Sequence, residues 1–243
     1  MANWSDPRTA SSAPYATRAG TRGAAYDAGL RSYMLSVYNY MASGVLLTGI
    51  VALLFASSGM AEAVFGTPLR WVIALAPLGF VMVLSFGINK LSTGAAQAIF
   101  WAFSAVMGLS MSSIFLVYTG ASIAITFFAT AVAFLSLSLY GYTTKRNLSG
   151  LGTFLIMGVV GLIVASLLNL WFQSPVMNMV ISAIGVLLFA GLTAYDTQRI
   201  KSMYDWVAGT DMMGKVVIMG ALSLYLDFVN MFQFLLSFMG SRD

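Results

Sequence analysis

The stretch GLGTFLIMGVVGLIVASLLNLWF, residues 150–172, decides the fold class. It carries no charge, and wound as a helix it is apolar on nearly every side. A helix in water keeps a polar face, and a strand of a membrane barrel alternates polar and apolar over about 10 residues. This run does neither. Roughly 20 residues of helix cross about 30 Å of hydrocarbon, so the stretch reads as a transmembrane helix.

Working outward, six more runs have the same character: 33–56, 70–89, 95–118, 121–142, 176–200 and 216–239. The breaks between them are short except for Lys201–Lys215, which makes consecutive helices antiparallel neighbours. No segment is long enough for a separate soluble domain. The expected architecture is an all-α integral membrane protein, a seven-helix bundle over residues 31–243. Residues 1–30 are rich in Ala, Ser, Gly and Arg and read as a disordered polar tail. No apolar segment of signal-peptide length follows their charges closely, so a cleavable signal is not expected. Small residues recur at four-residue spacing in Ser104/Gly108/Ser112, Gly161/Ala165 and Ala190/Ala194. Such spacing lets helix backbones approach closely.

Composition agrees. Of 243 residues, 59% are hydrophobic and 8% charged, and mean hydropathy is +0.86. Soluble domains carry about 25% charged residues. Cysteine and histidine are both missing from the sequence. Disulfides and thiolate metal sites are therefore excluded, and proton chemistry must run on carboxylates, Lys, Arg or Tyr. The net charge of +4 is scattered between the spans, which suits an anionic leaflet rather than nucleic acid. With seven spans, ten of the twelve Lys and Arg fall on the N-terminal side and two, Arg70 and Arg242, on the other. That bias places the N-terminus in the cytoplasm. Lys145 and Arg146 read as positive-inside anchors, and the 16 Met as ordinary filler.

Two carboxylates stand apart. Asp196, in GLTAYDTQRIK, and Asp227, in ALSLYLDFVNMFQF, lie inside apolar runs, while the other six acids fall in tails or loops. A carboxylate at the bilayer centre costs at least about 2.5–3.5 kcal/mol, which makes it a functional candidate by default. The alternative is that each merely ties helices together by hydrogen bonds. Counted along the helices at 1.5 Å per residue, the two lie at similar depth, about 12 and 17 Å from the ends joined by one loop. Two carboxylates in contact do not both ionise cheaply, so one keeps its proton and the pair titrates as a unit. Such a pair can sense pH, relay protons or bind a hard cation. Two aspartates are too few oxygens for a tight calcium site, so weak, transient binding is expected at Asp196 and Asp227. On the last helix Ser223, Asp227, Asn230, Gln233 and Ser237 share about a third of the circumference. Such a stripe faces protein or water, not lipid, and makes the four neutral residues pore-lining candidates. Asn89, Gln97, Asn169 and Asn178 fall near span ends, where interfacial solvation explains them. No GxSxG, HExxH or Walker pattern occurs, no catalytic residues are assigned, and neither an enzyme nor a cofactor is expected.

Four segments resemble the Bax inhibitor family in its bacterial branch: MGLSMSSIFLVYTG (107–120), LYGYTTKRNLSG (139–150), AYDTQRIK (194–201) and ALSLYLDFVNMFQFLL (221–236). The resemblance covers nearly the whole chain after the tail. It implies a bacterial inner-membrane protein with the last helix at the centre of the bundle. It also implies a pH-sensitive calcium leak gated by two aspartates that match Asp196 and Asp227, closed by protonation and opened by deprotonation. In that branch a basic residue near the end of the second span latches onto the first aspartate. The matching position here is Asn89, with Lys90 beside it, so the latch is either Lys90 or missing. Partners implied are the bilayer, calcium or other cations, and no nucleic acid. The rival expectation is a non-conducting interaction protein that modulates a protease or another membrane complex.

Overall fold

The computed structural model describes the backbone of residues 13–241 and side chains from Tyr26 onward. Among the described residues it has eight α-helices and one 3₁₀ turn, with no strand. The helices are α1 (Ala13–Ser57), α2 (Met60–Phe65), α3 (Leu69–Gly87), α4 (Thr93–Met111), α5 (Gly120–Thr143), α6 (Ser149–Phe172), α7 (Pro175–Val207) and α8 (Met213–Met239). Seven are long and apolar enough to cross a membrane, all but the short α2. The chain is an all-α membrane bundle, and the seven expected spans coincide with these seven helices. Residues 1–12 of the expected tail lie outside the described residues. From Ala13 onward the backbone is already that of α1.

Local chemistry sets the helix ends. Ser92, Thr119 and Ser174 each accept a bond from the backbone N–H three residues on, at the starts of α4, α5 and α7. Pro175 follows Ser174 at the first helical position, where its missing N–H costs nothing. The turn between α7 and α8 passes through Gly209 at φ +75°, a conformation that favours glycine. Both α1 and α7 outrun their apolar runs, α7 by nearly two turns to Val207. Those extra turns meet where Tyr26 bonds Asp205, and the ends of the two runs meet where Tyr33 donates to the Ile200 carbonyl at 3.2 Å.

The least apolar of the seven spanning helices, α8, is also the most buried, with 67% of its most apolar window covered. The reason is the polar stripe, which lipid cannot solvate. Helix α8 packs against α7, α1, α5 and α4. The most apolar span, α6, needs no such cover and packs on α7, while α3 packs on α4. Thr48 ties the centre together, donating to the Ser104 carbonyl at 2.8 Å and sharing a 2.6 Å bond with the Tyr225 hydroxyl.

The small-residue expectation splits. A Cβ on Gly108 would sit 2.7 Å from the Thr48 carbonyl oxygen, so this glycine does bring α4 onto α1. Gly161 has open space and makes no such contact. The tightest approach of α5 to α7 is instead at Gly141, whose Cβ would strike the Ala194 backbone. Spacing within one helix does not say which face meets a neighbour, and α6 turns Gly161 away from α7.

Candidate functional site

Helices α3 and α6 stand apart, and the gap between them opens onto α7 and α8. The result is a cleft of ≈ 690 Å³. Its walls are apolar, with Leu78 and Val81 from α3 and a row from Ile156 to Leu170 on α6. Its polar groups come chiefly from the floor: Asp196 and Arg199 on α7, and Ser223, Asp227 and Asn230 on α8. Both aspartates therefore face one cleft.

Their surroundings differ. Asp196 is 14% exposed and has a cation 3.8 Å away, Arg199 Nη1, one helical turn on. Asp227 is 4% exposed, and its Oδ2 has no hydrogen-bond partner among the described residues. Asn230, one turn along α8, turns its amide to the Leu226 carbonyl at 2.8 Å rather than to the carboxylate. A buried polar atom without a partner costs about 1–3 kcal/mol and needs an explanation.

The other expected residues separate into groups. Ser223 and Asn230 line the cleft. Ser237 does not, because it accepts bonds from Asn178 Nδ2 at 3.2 Å and from Ser182 at 3.0 Å, which join α7 to α8 at the far end. Gln233 is exposed and does not line the cleft. Asn89 and Lys90 are exposed in the α3–α4 connection, and the cation beside Asp196 is Arg199. Three of the span-end amides have protein partners as well as a place near the interface: Gln97 with Tyr40, Asn169 with the Ser174 N–H, and Asn178 with Ser237. No group of three or more acidic, His or Cys residues that could hold a metal occurs among the described residues.

Two features were not singled out from sequence. Arg199 is three residues after Asp196, a spacing at which helical side chains meet, so AYDTQRIK held the signal. Gln198 clamps the α5–α6 connection: its amide donates to the Arg146 carbonyl at 2.8 Å and its carbonyl accepts from Leu148 N–H at 2.9 Å. Nothing in the local text marks that role, because the partners lie about 50 residues away.

The family described as "Inhibitor of apoptosis-promoting Bax1" matches residues 30–243, which include both aspartates. The chain belongs to the Bax inhibitor family. It is 48% identical over 219 residues to the inner membrane protein YbhL of Escherichia coli, covering 88% of this chain and 94% of that one. It is 46% identical to protein RP147 of Rickettsia prowazekii, over 89% and 92% of the two chains. A Caulobacter vibrioides protein is 46% identical over 89% and 91%. The match spans the whole bundle, so the relatives extend over every element that forms the cleft.

Proposed function

We propose that this protein is a pH-sensitive leak for calcium or other cations in the bacterial inner membrane, gated by Asp196 and Asp227, and that it is not an enzyme. The observation that carries the reading is the unpartnered Oδ2 of Asp227, buried in a cleft that also holds Asp196. Helix glue would use all of its hydrogen-bonding capacity; this carboxylate does not. A protein that retains such a group gains something other than stability from it. Membership of the Bax inhibitor family supports the same reading, and the inner-membrane name of YbhL supports the location.

The proposed gate works by charge. With a proton shared, the pair carries at most one negative charge and the α7–α8 contact stays closed. With the proton lost, two like charges face each other in a poorly solvated place, and repulsion separates the helices. A passing cation then meets two carboxylates that bind it weakly, as conduction requires. The N-terminus is placed in the cytoplasm by the Lys/Arg bias; a reporter reading external at the N-terminus would overturn that.

The test is calcium entry into proteoliposomes holding purified protein, measured near pH 5 and near pH 8. Faster entry at the higher pH is expected. No entry at either pH from correctly folded protein would favour the non-conducting interaction protein.

A further inference from the structure

Directly beside the cleft is a second pocket of ≈ 390 Å³ at the basic end of the bundle. It is lined by Lys145, Arg146 and Arg199, with Asn147, Ser149 and Ser202 as polar company and no carboxylate. The side chains of Lys145 and Arg146 are exposed and have no ion pair or hydrogen bond among the described residues. Arg199 lines both this pocket and the cleft. Basic pockets between helices on this side of a membrane suit anionic headgroups.

We infer that one anionic phospholipid binds here, its phosphate at Lys145, Arg146 and Arg199 and an acyl chain in the cleft between α3 and α6. Two observations choose a lipid over a soluble anion. The cleft is apolar along α6 from Ile156 to Leu170 apart from Ser166, about 21 Å at 1.5 Å per residue. One leaflet supplies about 15 Å of chain, which from the pocket at Ser149 reaches the near end of that groove, Ile156 to Val159. The phosphate pocket and the groove also meet at a single side chain, Arg199, so headgroup and chain belong to one molecule.

A regulatory consequence follows and rests on the proposed gate. The charged groups lining the cleft are Asp196, Arg199 and Asp227; α3 contributes Leu78 and Val81, and α6 contributes apolar residues and Ser166. A phosphate that engages Arg199 takes the counter-charge from Asp196, and an acyl chain excludes water from both carboxylates. Both effects favour the protonated pair. Bound anionic lipid therefore holds the path closed to a higher pH.

The test measures binding apart from flux. Protein is purified from mixed phosphatidylglycerol and phosphatidylcholine, and the lipid it retains is counted by native mass spectrometry. One retained phosphatidylglycerol is expected. Lys145→Gln with Arg146→Gln should weaken that preference about twenty-fivefold, roughly fivefold for each cation. Val159→Phe, which fills the near end of the groove and leaves the pocket intact, should also release the lipid. Equal retention of both lipids by the wild type, or unchanged retention in the double variant, would overturn the inference. Retention unaffected by Val159→Phe would overturn the acyl seat. Because mass is read rather than calcium, selective retention with no pH-dependent flux would sink the gate and leave the lipid site standing.

Discussion

Helix α7 carries polar residues on two faces, and they are treated in opposite ways. Toward α5 it presents Thr193 and Thr197, both fully buried. Thr197 donates to the Thr193 carbonyl at 2.7 Å and shares a 3.0 Å bond with Ser138, which in turn meets the Tyr38 hydroxyl at 2.6 Å. Every hydroxyl in that seam has a partner. Toward the cleft α7 presents Asp196, opposite an Asp227 whose second oxygen has none. Both faces are polar and within the bundle, so polarity alone does not distinguish them. Satisfaction does: the seam holds helices together, and the cleft keeps a group ready for a proton or a cation.

The sharpest way to break that contrast is a cycle of Asp196→Asn, Asp227→Asn and the double variant, assayed for calcium flux from about pH 5 to 8, a window that brackets a pair titrating as a unit. Each substitution keeps the shape and removes the charge. Each single variant is expected to lose pH dependence, with the double adding little, because groups that act as a unit are not additive. Additive effects on flux would defeat the shared proton. Altered detergent stability with flux intact would make the cleft a second seam.

A smaller effect separates the two candidate cations. In the proposed gate Arg199 stabilises the ionised form of Asp196. Without it the proton is held to higher pH, so Arg199→Gln should move the flux midpoint in the alkaline direction. Arg199 is 54% exposed and the pair is 3.8 Å apart, so solvent screening limits the shift to less than about 0.7 pH unit. Lys90→Gln should leave the midpoint in place, since Lys90 is exposed away from the cleft lining. A shift with Lys90→Gln and none with Arg199→Gln would return the latch to the α3–α4 connection.

Much of this was legible in the sequence, for identifiable reasons. Membrane solvent imposes length and apolarity on each span separately, so seven runs could be read one at a time. The aspartates were legible because a charge in such a run is costly. The short α2 was not, since six residues leave no periodic trace. The cleft was not either, because it depends on α3 and α6 failing to meet, and nothing within a helix records what it does not touch. Gln233 and Asn230 lie on one stripe in the sequence, yet only Asn230 lines the cleft. Which part of a stripe is covered is decided by the neighbouring helix.

The seam offers the gentlest test, and the one most specific to the contrast. Thr197→Val keeps the branched shape and deletes the hydroxyl. Ser138 then loses one partner but keeps Tyr38, and no charge or cleft residue is touched. Hydrogen bonds between membrane helices average about 0.6 kcal/mol, because the unfolded chain in the bilayer also finds partners. That corresponds to a drop of about 1–3 °C in the detergent melting temperature for a chain of this size. The flux profile should be unmoved, since Thr197 faces α5 and the aspartates face the cleft. The expected signature is thus the reverse of the aspartate cycle: stability falls slightly and pH response stays. If Thr197→Val shifted the flux midpoint instead, the hydroxyls of the α5–α7 seam would belong to the proton path, and satisfaction by hydrogen bonds would no longer mark a residue as structural here.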